Sequence, residues 1–304
     1  MRSATLTDAS HLADAPQGRS LWADARRRFL RNRAAVAGVA VLAAIAAFAV
    51  AGPLVAPWDH EEIDWTVLGQ VETLGRPSLS TGHWFGTDAL GRDLFARTAQ
   101  GTQISLMVGI VGALIAVIVG TLYGAVAGYF GGRVDGTMMR TVDVLMSIPY
   151  MFVLILLLVV FGRSVLMLFV GIGLISWLDM ARIARGQTLA LRGKEYVEAA
   201  VATGVPPFRI ILRHIVPNLL GVVIVYATLL VPSMIIYESF ISFLGLGVQE
   251  PLTSWGALIN EGAAEMRNGT IWQLLFPLGF FVAGLFAFFF IGDGLRDALD
   301  PKDR

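Results

Sequence analysis

Residues Thr102 to Gly132 read TQISLMVGIVGALIAVIVGTLYGAVAGYFGG, and no charged side chain interrupts them. A helix rises about 1.5 Å per residue, so roughly 20 apolar residues cross a hydrocarbon core of about 30 Å. The stretch can cross and overhang, which marks lipid as the solvent of this chain. Within it Gly112, Ala116, Gly120, Gly124 and Gly128 recur in steps of four. That spacing sets them on one helix face, where small residues let neighbouring backbones approach closely. A buried helix contact is the first expectation. A face lining a substrate path, where the glycines leave room for bulk, is the second.

Outward from this run, five more stretches have the same character: Ala34 to Pro57, Val144 to Gly162, Val165 to Trp177, Leu219 to Tyr237 and Ile271 to Gly292. The fourth in chain order, from Val165, is short unless Asp179 and Met180 lie at the interface. The expected fold is all-α and polytopic, with six transmembrane helices. Composition agrees, since 56% of the 304 residues are hydrophobic and 15% charged, whereas a soluble domain carries about 25% charged residues. The first apolar run exceeds the 7 to 15 residues of a signal-peptide core, and it reads as an uncleaved anchor.

Lysine and arginine stay preferentially on the cytoplasmic side of the spans that they flank. Here all of them except Arg76, Arg92, Arg97, Arg163 and Arg267 fall on one side of the expected topology. Both termini are therefore expected in the cytoplasm. The organisation reads as a cytoplasmic tail (1–33), a first transmembrane anchor (34–57) and a periplasmic segment (58–101). A five-helix core (102–292) with a cytoplasmic loop at 181–217 and a cytoplasmic C-terminal tail (293–304) complete it, with 245–270 also facing outward.

Several chemistries lack support. The formal net charge is zero and no basic stripe marks a nucleic-acid surface. Cysteine is absent, which removes disulfides, cysteine-ligated zinc and thiol catalysis. A phosphate-binding loop needs two glycines around four residues followed by Lys-Ser or Lys-Thr. Gly193 and Lys194 are instead followed by Glu195, and Thr188 stands where the first glycine belongs. His11, His60, His83 and His214 are scattered over both sides of the membrane without helical pairing, so no metal site and no serine-histidine triad is expected. Asn268-Gly269-Thr270 spells a glycosylation sequon, read as chance.

The loop after the fourth span is long for a connection between membrane helices. Good helix formers run from Thr188 to Ala202, and Gly204 is placed to cap them. Val205, Pro206 and Pro207 then break the helix, and Phe208 to Ile215 can form a second one leading into the membrane. An interfacial helix pair whose arginines meet lipid phosphates would explain these features.

A second explanation comes from resemblance. Glu198-Ala199-Ala200, Gly204 four residues on, and Pro217 after the intervening stretch resemble the EAA signature of permease subunits in ABC-type importers. In that family the segment forms a coupling helix seated on a cytoplasmic ATPase. Tyr196, Glu198, Ala199, Ala200, Gly204, His214 and Pro217 are the ATPase-coupling residues that the resemblance implies. His214 and Val216 stand where the general signature has isoleucine and leucine, and the Arg213-His214-Ile215-Val216-Pro217-Asn218 ending is similar to that of the oligopeptide, dipeptide and nickel branch.

His83, Phe85, Gly86, Thr87, Asp88, Gly91, Arg92 and Asp93 resemble the same branch before the second span, where glycines and Thr-Asp pairs suit turns and helix caps. Met139, Arg140, Asp143, Ser147 and Pro149 resemble its third-span entrance. Ser242 to Gly247 with Trp255 and Gly256 resemble the loop after its fifth span. The Ser20-Leu21-Trp22 to Arg33 start and the Ile291 to Arg304 ending are similar to the C-type permeases of oligopeptide importers.

The resemblance implies a type I ABC importer permease fold in the bacterial inner membrane. It implies a homologous second permease, two cytoplasmic ATPases that bind ATP and Mg, and a periplasmic peptide-binding protein, with no cofactor in this chain. Oligopeptides are the expected cargo; dipeptides, nickel complexes or glutathione are alternatives, and a secondary transporter would explain the spans alone. Glu238, the sole acid between Leu219 and Gly247, is either a hydrated interfacial carboxylate or a pathway acid meeting the substrate's amino group. Pro232 could kink its helix and serve gating.

Overall fold

The structure, a computed structural model, describes residues 21–299. Expectations for 1–20 and 300–304, including the ends of both tails, lie outside the described residues. Lipid offers no partner to backbone N–H and C=O groups, so a spanning segment must satisfy them internally as a helix or a closed barrel. This chain takes the helical solution, and two isolated bridges, Ile63 with Arg92 and Thr87 with Asp93, are the only extended pairings among the described residues.

In chain order the helices are α1 (Leu21–Arg31), α2 (Arg33–Val55), α3 (Val71–Leu74), α4 (Leu94–Phe130), α5 (Gly132–Met146), α6 (Tyr150–Phe161), α7 (Val165–Arg192), α8 (Glu195–Ala202), α9 (Pro207–Ile210), α10 (Val216–Phe243), α11 (Trp255–Glu265) and α12 (Trp272–Leu299). A π-helical turn, Ile211–Ile215, joins α9 to α10, so helix runs without a break from Pro207 to Phe243.

Five helical stretches are long and apolar enough to cross a membrane: α2, α4, α7, Pro207–Phe243 and α12. The sixth expected span takes another form. Val144 to Gly162 divides between α5 and α6, which meet at an angle of 77°. Proline at 149 supplies no amide hydrogen and disfavours helical geometry at Ile148; hydropathy alone runs straight through it. Counting the bent pair as one span gives six. The span from Val165 is not short, because α7 continues through Asp179 to Arg192.

Helix α4 is the centre of the molecule. Its glycine face lies against α7, and a Cβ added at Gly120 would sit 2.6 Å from the carbonyl oxygen of Trp177 and from the Cβ of Met180. At Gly128 it would sit 2.9 Å from the Arg185 carbonyl. Gly112, higher on the stripe, is looser, at 3.6 Å from Met234. On the far side Gly38 of α2 meets the Ala287 carbonyl of α12 at 2.8 Å by the same measure.

A buried cluster of Leu154, Leu158, Leu168, Ile172, Met234, Ile235, Trp255 and Phe288 fills the space between α4, α6, α7, α10 and α12. Large apolar side chains also face outward, among them Leu54, Phe152, Val160 and Phe161. An apolar exterior of this kind is what lipid covers.

Candidate functional site

The two ends of the helical bundle carry different structures. At one end α7 breaks at Gly193 and Lys194, and α8 follows as a separate helix. The continuous helix expected from Thr188 to Ala202 is therefore two pieces; Thr188 to Arg192 complete α7. Gly193 lies beside Leu191 and Arg192, and its low helix propensity fits the break.

Helix α8 stops in the way its sequence requires. Gly204 has φ +78°, its amide donates to the Val201 carbonyl at 3.0 Å, and the Val205 amide reaches back to the Ala200 carbonyl at 3.1 Å. This pair of bonds is a Schellman stop, which satisfies carbonyls that the helix end leaves open. Pro207 then opens α9 at its first position.

The helix has two faces. Val197 and Ala200 are buried with Ile210, Ile211, Ile215 and Leu219, and burying such apolar area stabilises by about 25 cal/mol per Å². Tyr196, Glu198, Ala199, Val201, Ala202 and Gly204 are exposed. Tyr196 lies 6.5 Å from His214 between ring centres. Pro217 is exposed at the start of α10. The structure thus gathers Tyr196, Glu198, Ala199 and Ala200 on α8 with Gly204 at its stop, while His214 lies in the π-helical turn and Pro217 in α10; Ala200 alone among them is buried. Phe208 and Leu212 extend the exposed apolar surface beside it.

Next to this element, Arg185 holds Asp135 through two bonds of 2.9 and 2.6 Å, and Arg182 holds Asp143 at 2.6 Å. These pairs fasten α5 to α7. The Tyr123 hydroxyl adds a bond to the Met138 carbonyl at 2.9 Å.

The opposite end is a folded cap made by residues 57–93, the 244–254 loop and α11. Asp93 caps α4, accepting from the Ala96 amide at 2.8 Å, and accepts or shares a proton with His83 Nδ1 at 2.9 Å. His83 Nε2 faces Asp64 at 3.4 Å. Burial pushes the Asp93 carboxyl up, against the pull of the Ala96 amide and His83. Asp64 is held below its ordinary value, first by the Thr66 hydroxyl at 2.6 Å.

Asp88 accepts from the Leu90 and Arg92 amides and pairs with the guanidinium groups of Arg92 and Arg97. Arg97, 1% exposed, also grips Glu261 of α11 at 2.9 and 3.2 Å. Burial acts to lower the Arg92 pKa, but bonding to Glu250 at 2.8 Å and to Asp88 outweighs it, and the net direction is upward. The turn-and-cap reading of this segment fits Asp88 and Asp93, whose carboxylates accept backbone amides, whereas the buried Thr87 hydroxyl caps nothing.

Glu238 is where the sequence reading needs correction. A hydrated interfacial carboxylate was one expectation for Glu238 and a pathway acid the other, yet it is fully enclosed by this chain. Three hydroxyls surround it, Ser242 at 2.6 Å, Ser105 at 3.3 Å and Ser239 at 3.4 Å. The physical reason is local: small hydroxyl residues one and four positions on, and another on α4, supply the donors that water would otherwise give. Pro232 is buried as well, within a helix that continues past it.

Sequence reasoning missed the linkage of Arg97 to Glu261 and of Trp255 to α4, because both join positions more than 140 residues apart. A lone acid followed by Ser239 and Ser242 was a usable signal for the enclosure of Glu238; nothing local foretold Arg97.

Comparison with known proteins places this architecture. The family model described as binding-protein-dependent transport system inner membrane component matches residues 120–304. The chain belongs to that family. A second model, the N-terminal TM domain of oligopeptide transport permease C, matches residues 20–69. The chain is 59% identical over 288 residues to the oligopeptide transport system permease protein OppC of Escherichia coli K12, covering 95% of this chain and 93% of that one. It is 46% identical over 281 residues to the dipeptide transport system permease protein DppC of Bacillus subtilis, covering 92% and 86%. A solved structure of the MetNI methionine ABC transporter in an inward-facing conformation matches with a TM-score of 0.54 at 17% identity, covering 65% of this chain and 94% of that one, which places the fold. As a member of the transport component family, the chain is an inner-membrane multi-pass permease. The model's boundary at residue 120 falls inside α4, so the matched region holds the lower part of α4 and every later helix, α8 included.

Proposed function

We propose that this chain is a channel-forming permease subunit of an ABC importer that moves oligopeptides across the bacterial inner membrane. The observation that carries this reading is α8: a short helix with an apolar inner face, an exposed outer face and a glycine-set stop, in a chain 59% identical to an oligopeptide permease over nearly its full length.

In this reading α8 is the coupling helix. Both termini and α8 face the cytoplasm, and the cap faces outward, in line with the arginine distribution. Two ATPases bind ATP and Mg beneath the membrane, a homologous second permease completes the path, and an external peptide-binding protein docks on the cap. The chain itself has no catalytic residue and holds no cofactor. ATP-driven closure moves α8, and because Val197 and Ala200 pack on Ile210 and Ile211, the displacement passes into the helix from Pro207 to Phe243. Pro232 lacks the amide that would meet the carbonyl four residues back, and it is the point at which this helix yields. Ligands drive the switch only through their different affinities for the inward and outward states.

Uptake of labelled peptides of graded length in a strain deleted for this gene tests the reading. Restored uptake of peptides of three or more residues by the plasmid-borne chain is the expected result. Restoration confined to dipeptides would assign the narrower substrate class, and no restoration of any peptide would reject the proposal.

A further inference from the structure

A carboxylate at mid-membrane or in a dry interior is disfavoured by several kcal/mol unless its oxygens are satisfied. Glu238 makes no ion pair among the described residues, yet both of its oxygens receive hydroxyl donors. Those donors belong to different elements. Ser239 and Ser242 are its own neighbours on α10, and Ser105 lies on α4.

The cluster extends from there into the cap. Ser105 Oγ accepts the backbone amide of Trp255, the first residue of α11, at 3.1 Å. Trp255 Nε1 donates to Thr102 Oγ1 on α4 at 2.9 Å. Ser242 Oγ accepts from the Ser254 hydroxyl at 3.2 Å and from the Val248 amide at 3.4 Å. Ser254 is the N-cap of α11, accepting from the Ala257 amide at 3.2 Å.

Backbone packing closes the same joint. A Cβ on Gly256 would lie 2.5 Å from the Ser239 carbonyl oxygen, one on Gly101 3.2 Å from the Ser254 carbonyl carbon, and one on Gly262 2.5 Å from the Gln273 backbone. From the far side Arg97 fixes Glu261. Helix α11 is therefore held at both ends, and the inner attachment converges on one carboxylate.

We infer that Glu238 is a positioning residue, the pin that fixes the start of α11 and the 244–254 loop to α4 and α10. A load placed on the cap thereby reaches α8 through one continuous helix. That helix, Pro207 to Phe243, contains 37 residues, about 55 Å at the helical rise. The cap is at one end and the packing partners of α8 are at the other. The inference rests on the importer reading above and assigns within it the residue that joins docking to the moving helix.

The test uses the full complex in proteoliposomes, with purified binding protein and peptide, and reads ATP hydrolysis with and without docking alongside uptake. Glu238→Ala is expected to leave basal hydrolysis unchanged and to reduce the docking-stimulated increment at least about tenfold, the effect that losing even one of its three buried hydrogen bonds has on an equilibrium constant. Glu238→Gln, whose amide still exchanges hydrogen bonds with the serines, is expected to restore most of the increment. If Glu238→Ala fails to insert, Ser254→Ala and Ser105→Ala each remove two of the links while leaving the carboxylate in place, and should show the same selective loss.

Normal stimulation in all three alanine variants would overturn the inference. So would intact stimulation in Glu238→Gln with altered preference between free and acetylated peptide amino termini, because that result makes the carboxylate a cargo contact. Wild-type complex that hydrolyses ATP without any response to docking would instead reject the importer reading itself, and the inference with it.

Discussion

At Gly124 a single added carbon decides whether two helices can meet. A Cβ there would collide with the Ala181 carbonyl oxygen and lie 2.7 Å from the Arg185 amide nitrogen and 2.8 Å from Ala184 Cβ. All three belong to α7, so the stripe serves this chain's own fold before it serves any subunit contact. Gly124→Leu is expected to lower the yield of folded, monodisperse protein from detergent extracts. Gly186, on the same helix pair, has nothing within 4 Å. Gly186→Ala should be tolerated or should raise the melting temperature, since alanine favours a helix interior over glycine by about 1 kcal/mol. Equal damage from both substitutions would remove the close-packing explanation. At this scale the sequence was informative wherever spacing encodes a face: the four-residue glycine repeat announced a packed side of α4. It was silent on which helix fills that side, because contact between Gly124 and Ala181 depends on the path of the chain between them.

Among the elements, α8 shows how a local rule and a tertiary role combine. Gly204 has open space around its missing side chain, so the demand for glycine there comes from φ +78° and not from crowding. A residue with a Cβ incurs about 1 to 2 kcal/mol in that conformation, a β-branched one more, and asparagine less. Gly204→Val should therefore abolish peptide uptake and docking-stimulated ATP hydrolysis in the reconstituted complex while membrane insertion persists, and Gly204→Asn should retain much of both. Normal transport by the valine variant would refute the role of this turn. The stop at Gly204 and the break at Pro206 and Pro207 were legible because glycine and proline act on their immediate backbone. The start of α8 was hidden among good helix formers: Thr188 to Ala202 favours helix at most positions, and the one local signal of the break is Gly193, the C-cap of α7. The bend between α5 and α6 was visible in principle at Pro149, but an averaged hydropathy window hides one residue.

The molecule as a whole is a bundle with a polar, ion-paired cap at one end and a protruding helix at the other. Its orientation is open to direct measurement because the chain has no cysteine. Leu79, 86% exposed in the cap, and Lys194, exposed before α8, are suitable sites for single cysteines. In intact spheroplasts an impermeant thiol reagent should label Leu79→Cys and spare Lys194→Cys; the reverse pattern would invert the topology. Charge distribution is the sequence feature from which this expected orientation comes, whereas the cap's internal wiring had no such signal, since Arg97 and Glu261 are brought together only by the fold.

The brevity of α6 bears on the surrounding bilayer. Its 12 residues extend about 18 Å, well under the roughly 30 Å of hydrocarbon that a full span matches, while Phe152, Leu156, Val159, Val160 and Phe161 point away from the bundle. Acyl chains along this flank meet a shorter apolar helix than the 28-residue α12 offers, and matching it requires them to shorten their reach or tilt. A hydrophobic mismatch confined to one flank favours neighbours that fill the thinned wedge. The flank bearing α6 is thus where the membrane itself gains most from a second helical protein taking the place of lipid.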